Sequence, residues 1–387
     1  MFGRVALERK AGMRLRRLKD AAVDRRRQRR APTRDAMRAL RVRPGGRIDW
    51  QEVPVPPPPG PTGAIVHPIA VATCDLDRQL ALGRTPFPLP LHFGHECVAE
   101  VLAVGADVSA VAAGDRVVVP FQISCGTCAP CHAGHTGNCA SVPPISMYGF
   151  GLGGGHWGGA IADQLAVPYA EGMLVRLPEG LDPAAVASVA DNVSDGYRHI
   201  GPHQELLAGS GSEVLILAGM DRRPPFSSSV PLYAGLVAKA LGAARVHLLD
   251  SRAHVREHAE RLGLMAHRPA ELRRLPLMPL VVDGTGSSSG LSAALAHTAP
   301  DGVCSSLGSL HRVARIPAGV MFGRNVSLHV GRTHARALIP AVLDLIQAGK
   351  LEPERVTTQV GALDDAPRAI SDHIREDVTK TVLVETG

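Results

Sequence analysis

"VLILAGMDRRPPFSSSVPLYAGLVAKALGAARVHLLD", residues 214–250, reads as a buried strand, a turn, a helix and a second strand that ends in an acid. That order is a βαβ unit, and an acid closing the second strand is the frame of a dinucleotide-binding unit. The glycines that line such a first turn are mostly missing, however, and a Pro/Ser-rich stretch stands in their place. A ribose-binding acid is expected about 20 residues beyond the glycine motif, and counting back from Asp250 lands near Pro231. The segment "MDRRPPFSSSV", between Gly219 and Pro231, is longer than such a turn needs by roughly six residues, and the excess falls where a pyrophosphate would lie.

Two outcomes follow. Pro231 suits the first turn of a helix, having no N–H to leave unpaired, and Ser227, Ser228 or Ser229 can cap that helix. Free N–H groups at a helix start attract phosphate with or without glycines, and Arg222 and Arg223 add charge. Alternatively the loop, stiffened by Pro224 and Pro225, fills the groove and excludes a dinucleotide. Because the strand, the helix and Asp250 persist, retained binding is favoured. Asp250 would accept a ribose 2′-OH and repel a 2′-phosphate, which prefers NAD over NADP, with Arg252 near enough to blur the preference. Asp283 and Gly284 end a later strand, at the edge where open α/β sheets take ligands, or simply close a turn.

Outward from this unit, apolar strands alternate with helical patterns from about residue 213 to 330, as expected for a parallel sheet. Residues 37 to about 190 differ: runs such as "HECVAEVLAVG" and "DRVVVPF", separated by Gly and Pro, argue for a compact β-rich domain. The closing stretch, 333–387, has strands enough to return to that domain. At 387 residues, two domains are the default. The expected divisions are 1–36, 37–190, 191–332 and 333–387.

The formal charge of +6 belongs to one end of the chain. Residues 1–36 carry thirteen Lys or Arg and four acids, so the remainder from Met37 is mildly acidic. Such a run repels itself and buries little, which makes it a disordered extension rather than a nucleic-acid surface. No apolar run reaches the roughly 18 residues of a spanning helix, and no secretory signal opens the chain, so the expectation is a cytoplasmic protein without a membrane partner.

Six of the seven cysteines precede residue 140, and four form Cys125-x2-Cys128-x2-Cys131-x7-Cys139. Without export signals, this favours thiolate ligands over disulfides. Four sulfurs on one loop, within a lobe of about residues 121–142, can enclose a tetrahedral zinc with no open position, a structural site. Upstream lie Cys74 and Asp77 in "TCDLDRQ" and His95 and Glu96 in "FGHECVAEV"; downstream, "SVADNVSDGYRHI" supplies Asp191. Cysteine, histidine and a carboxylate with one position left open is catalytic-zinc chemistry.

These residues, with "GDRV" at 114–117, "WGGAIADQLAVP" at 157–168 and the closing "KTVLV", resemble the zinc-containing medium-chain dehydrogenase/reductase superfamily from Met37 to the C-terminus. The resemblance implies a GroES-like catalytic domain joined to a Rossmann domain with a doubly wound parallel sheet. It implies two zinc ions per chain, the catalytic one held by Cys74, His95 and Asp191, with Asp77 orienting His95 and Glu96 as an alternate ligand. It implies a small alcohol or aldehyde (or ketone) as substrate, a nicotinamide cofactor that takes the hydride, and a homodimer or homotetramer. Three features depart from the family. Leu76 stands where many relatives carry a hydroxyl that passes a proton, and Leu has none to pass. Asp195 replaces a Thr beside the nicotinamide and would act either as a general base or as an ordinary helix-surface acid. The third departure is the turn at 219–231, which keeps open a competing reading, a non-catalytic zinc protein that has lost its dinucleotide. A nucleic-acid-associated protein using the basic end and the four-Cys lobe is a further, less favoured one.

Overall fold

The computed structural model describes residues 36–154, 156–209, 211–221, 226, 228–308, 313–375 and 378–386, the side chains of Leu152 and Gly153 excepted. The basic segment up to Asp35, and Arg222, Arg223, Pro224, Pro225 and Ser227, lie outside the described residues.

The β-rich portion contains β1 (Ala36–Arg43), β2 (Arg47–Pro54), β3 (Ala64–Ala72), β4 (Leu91–His92), β5 (Glu96–Val104), β6 (Arg116–Val119), β7 (Leu165–Val167) and β8 (Val175–Arg176). A second group follows: β9 (Glu213–Gly219), β10 (Arg245–Asp250), β11 (Met265–His267), β12 (Met278–Asp283), β13 (Thr298–Ser306) and β14 (Ser327–Val330). The last two are β15 (Gln359–Ala362) and β16 (Thr381–Val384). β9 to β14 form one parallel sheet in the order β11-β10-β9-β12-β13-β14. This is the doubly wound order, reversing direction between β9 and β12, where such sheets open a crevice at the carboxyl ends of their strands. The apolar runs in β9 and β12 are buried on both faces, as a parallel sheet covered by helices requires.

The seven-stranded sheet runs β15-β16-β3-β5-β6-β8, with β7 also on β3. β16 lies antiparallel to β3, so a strand more than three hundred residues away in sequence sits beside the segment leading to Cys74. β2, β1 and β4 make a smaller sheet.

One continuous apolar cluster joins the two large sheets: Ala72, Val98 and Val118 on one side, Val189 and Val193 between, and Leu232, Val237 and Ile216 on the other. Helix Ser229–Ala240 is apolar on almost every side and buried from Ser229 through Ala238, as an all-round hydrophobic helix must be. Helix Asn192–Arg198 packs on it through Gly196, where a Cβ would come within 2.9 Å of Ala234 N. That close approach brings Asn192 to Ser229. Among the described residues, no helix is long and apolar enough to cross a membrane.

Candidate metal centres and coenzyme crevice

His95 follows Gly94, whose φ of +88° and whose missing Cβ, which would lie 2.6 Å from Ile161 Cγ1, together demand glycine. The tight start of β5 aims His95 and Glu96 into the seam between the sheets. Cys74 lies just beyond β3, and Asp191 ends the short helical turn before Asn192. One ligand-type atom from each of Cys74, His95, Glu96 and Asp191 lies within 4.8 Å of the others, and all four residues are buried. Their sequence separations gave no warning of this distance.

Asp77 supports two of them. Its Oδ2 accepts from Cys74 N–H at 2.8 Å, and its Oδ1 lies 3.8 Å from His95 Nδ1. His95 Nε2 is 3.4 Å from Asp191 Oδ2. The His95 ring is walled by Phe150 and Phe121, at centroid distances of 4.9 and 5.8 Å.

The cluster also holds two residues that the sequence reading passed over. Lys380, immediately before β16 and fully buried, donates from Nζ to Glu96 Oε2 at 2.7 Å and to Asn192 Oδ1 at 2.9 Å. Asn192 Nδ2 donates in turn to Asp191 Oδ2 at 3.1 Å. Lys380 was visible in "KTVLV", but nothing local distinguishes it from any lysine opening a strand.

Burial pushes the Glu96 carboxyl well up, with Lys380 opposing. It pushes the Cys74 thiol well up too, reinforced by Asp77, Asp191 and Glu96. Asp77 is raised by burial while His95 pulls the other way. Buried acceptors thus outnumber the one ammonium, Lys380, that the described residues place among them. Both ring nitrogens of His95, Glu96 Oε1 and Asp77 Oδ1 lack hydrogen-bond partners among the described residues. Unpartnered buried imidazole and carboxylate atoms beside a cysteine that a cation would ionise make up the ligand set of a zinc site, so the residues fit a divalent cation.

The second cluster is Cys125, Cys128, Cys131 and Cys139, again within 4.8 Å. N–H groups of Thr127 and Cys128 point at Cys125 Sγ, and Ala140 N–H points at Cys128 Sγ. Burial works against ionising Cys125, but hydrogen bonds from Ser141 and Thr127 outweigh it and draw that thiol down to about 5. Four sulfurs with donors already aimed at them fit a closed tetrahedral site.

In the crevice, Gly219 ends β9 against Asp250: a Cβ there would lie 2.8 Å from Asp250 Oδ2. Asp250 is fully buried and held by Arg252, whose Nε and Nη2 donate to its two oxygens at 2.9 and 2.8 Å. Arg252 also reaches Phe226 O at 3.1 Å and Ser228 Oγ. Serine capping of helix Ser229–Ala240, expected from the sequence, does not occur at Ser228, whose hydroxyl donates to Asp250 Oδ2 instead. The helix start is capped by Asp75, a residue not singled out in the sequence. Ser229 N–H and Val230 N–H donate to its two carboxylate oxygens at 2.9 and 3.1 Å.

Two other candidate residues have partners within the chain. Asp195 is half-buried and paired with Arg198 one helical turn on, and burial raises its carboxyl while Arg198 opposes. Asp283 turns inward, accepting from Thr285 and from Ser306 Oγ at 2.8 Å, so it closes the ends of β12 and β13.

Residues 60–179 match the alcohol dehydrogenase GroES-like domain family. A Mycobacterium tuberculosis protein named "Probable zinc-binding alcohol dehydrogenase" is 28% identical over 343 residues, covering 86% of this chain and 84% of its own. The glutathione-independent formaldehyde dehydrogenase of Pseudomonas aeruginosa is 29% identical over 378 residues, covering 84% and 91%. Among solved structures, the alcohol dehydrogenase TADH from Thermus sp. ATN1 superposes with a TM-score of 0.81 at 29% identity, covering 90% of this chain and all of that one. The doubly wound sheet, the GroES-like domain match and both ligand clusters, with these relatives spanning more than four fifths of the chain, support its placement among the zinc-containing medium-chain dehydrogenase/reductase oxidoreductases.

Proposed function

We propose that this protein is a zinc-dependent oxidoreductase moving a hydride between a small alcohol or aldehyde (or ketone) and a nicotinamide dinucleotide. Cys74, His95 and Asp191 would hold the catalytic ion, and the four cysteines from Cys125 to Cys139 a structural one. The observation that carries this reading is the buried group of four ligand-type residues, Cys74, His95, Glu96 and Asp191, within 4.8 Å of one another.

When bound there, zinc supplies Lewis acidity, polarising the substrate oxygen so that hydride can pass to the nicotinamide. The chain's own residues do the rest. Asp77 holds the Cys74 N–H and stands behind His95, fixing both donors. Lys380 neutralises Glu96, and through Asn192 it also steadies Asp191. Leu76 offers no hydroxyl for proton transfer, and Asp195 is tied to Arg198, so the substrate proton leaves through another group or through solvent.

Asp250 supports NAD over NADP, because its carboxylate would oppose a 2′-phosphate. Arg252, already neutralising that carboxylate, keeps the preference small. We also propose 37–190 with 333–387 as the catalytic portion and 191–332 as the coenzyme portion, supported by the pairing of β16 with β3. The competing reading, a zinc protein without a dinucleotide, has one observation in its favour, the Asp75 carboxylate on the helix start. A metal count with an NADH titration of the full chain tests the proposal. Two zinc ions and saturable binding are expected; a chain that takes up zinc only in the four-Cys lobe contradicts it.

A further inference from the structure

The start of helix Ser229–Ala240 is where the first βα unit of a doubly wound sheet would receive the pyrophosphate of a dinucleotide. Here that place holds an anion supplied by the chain itself. The Asp75 carboxylate spans the two N–H groups of Ser229 and Val230, and the Ser229 hydroxyl donates to Asp75 Oδ1 as well. Asp75 comes from the other portion of the molecule, 154 residues earlier in the sequence than Ser229, and directly follows Cys74. The Ser229 hydroxyl oxygen also lies 2.8 Å from Asn192 Oδ1, which receives Lys380 Nζ. An unbroken polar path therefore runs from the helix start through Ser229, Asn192 and Lys380 to Glu96 in the metal cluster.

We propose that Asp75 is a latch that closes the crevice by taking the place of the coenzyme pyrophosphate, and that the dinucleotide binds by displacing it. The proposal rests on the nicotinamide-dependent reading above. A dianionic pyrophosphate and a carboxylate cannot share two N–H donors: like charges at this separation repel, and each donor serves one acceptor. The wild-type protein binds coenzyme only in the fraction of molecules whose latch is open, which weakens the apparent affinity by that fraction. On release, Ser229 loses its bond to Asp75 and is free to turn wholly toward Asn192, so coenzyme arrival is felt in the hydrogen bonding of the metal cluster.

The test is calorimetric titration of the zinc-loaded full chain with ADP-ribose and with NADH. It compares the wild type with Asp75→Asn, which keeps the shape and one acceptor, and with Asp75→Gly. Removing the charge from the helix start should tighten both ligands roughly tenfold, with Asp75→Gly at least as tight as Asp75→Asn. Thermal unfolding and zinc content show that each variant is folded; if Asp75→Gly is not, the isosteric Asp75→Asn decides alone. Wild type and folded variants binding NADH with equal affinity would overturn the latch while leaving the coenzyme reading intact. Failure of every protein to bind either ligand would overturn the coenzyme reading and the latch with it.

Discussion

Lys380 Nζ lies 2.7 Å from Glu96 Oε2, with both side chains fully excluded from solvent. Burial opposes the lysine's charge, but Glu96 outweighs it and holds the ammonium protonated beyond its ordinary range. Breaking one side of such a pair strands a charge in the interior, which costs about 3–5 kcal/mol. Lys380→Met is therefore expected to destabilise the fold by about that amount, and Glu96→Gln in the same background should recover part of the loss. Urea denaturation of the zinc-loaded proteins measures the coupling; additive effects of the two substitutions would show that the pair does not act as one.

The two sulfur-containing clusters should separate cleanly on substitution. Cys74→Ser or His95→Ala is expected to abolish turnover and release one equivalent of metal, with the fold and the four-Cys lobe preserved. Cys128→Ser should lower metal content by one as well, but with its first effect on thermal stability. Metal analysis alongside calorimetric melting distinguishes the two patterns. Full activity after the first pair of substitutions removes the catalytic assignment of Cys74 and His95.

Asp77 is placed to act through its neighbours rather than on substrate. Asp77→Ala deletes the acceptor of Cys74 N–H and the carboxylate behind His95, and losses of about 10–100-fold in metal affinity are typical of such partners. Competition with a chelator of known affinity reads this directly. Asp77→Asn should retain more affinity than Asp77→Ala, because its amide oxygen still accepts from Cys74.

His373 predicts part of the acid limb of stability. It is buried, with Nδ1 3.1 Å from Thr381 Oγ1, and burial, helped by Lys380 and Arg78, lowers its pKa from 6.5 to about 3. Below pH 6.5 the unfolded chain takes up a proton that the folded one refuses. The neutral imidazole's contribution is thus complete above pH 6.5 and lost as pH falls toward 3, by about 1.4 kcal/mol per pH unit. At pH 5 the loss is about 2 kcal/mol. In His373→Gln that portion of the pH dependence should vanish, while carboxylate and metal contributions cancel in the comparison. Parallel stability curves for the two proteins between pH 7 and 5 would refute the assignment.

Local sequence was enough for the parts whose chemistry is written in short spans. Cys125, Cys128, Cys131 and Cys139 sit within fifteen residues of one another, and the strand–helix–strand of 214–250 carries its own periodicity. Gly94 stood in the quoted "FGHECVAEV", but its left-handed backbone and its contact with Ile161, which aim His95, come only from the fold. Lys380 and Asp75 were illegible for the opposite reason. Lys380 meets Glu96 across 284 positions and Asp75 meets Val230 across 155, and each is an ordinary residue for its local setting. Asp195 is a nearer case: its partner, Arg198, lies one helical turn away on the same helix. Ser228 suited the local rules for capping, yet a carboxylate from another segment makes the stronger bond to two amides and took the position.

The placement of Lys380 just ahead of β16 also sets an order of events during synthesis. At translation speeds of about 5–20 residues per second, the 284 residues between Glu96 and Lys380 take roughly a quarter of a minute to a minute to emerge. Throughout that interval the nascent chain carries Cys74, His95 and Glu96, joined about a third of the way through by Asp191, without their counter-charge. The ribosome thus finishes the metal pocket almost last, and a chaperone or early-bound ion would have to shield a cluster of acids that the last strand is built to quiet.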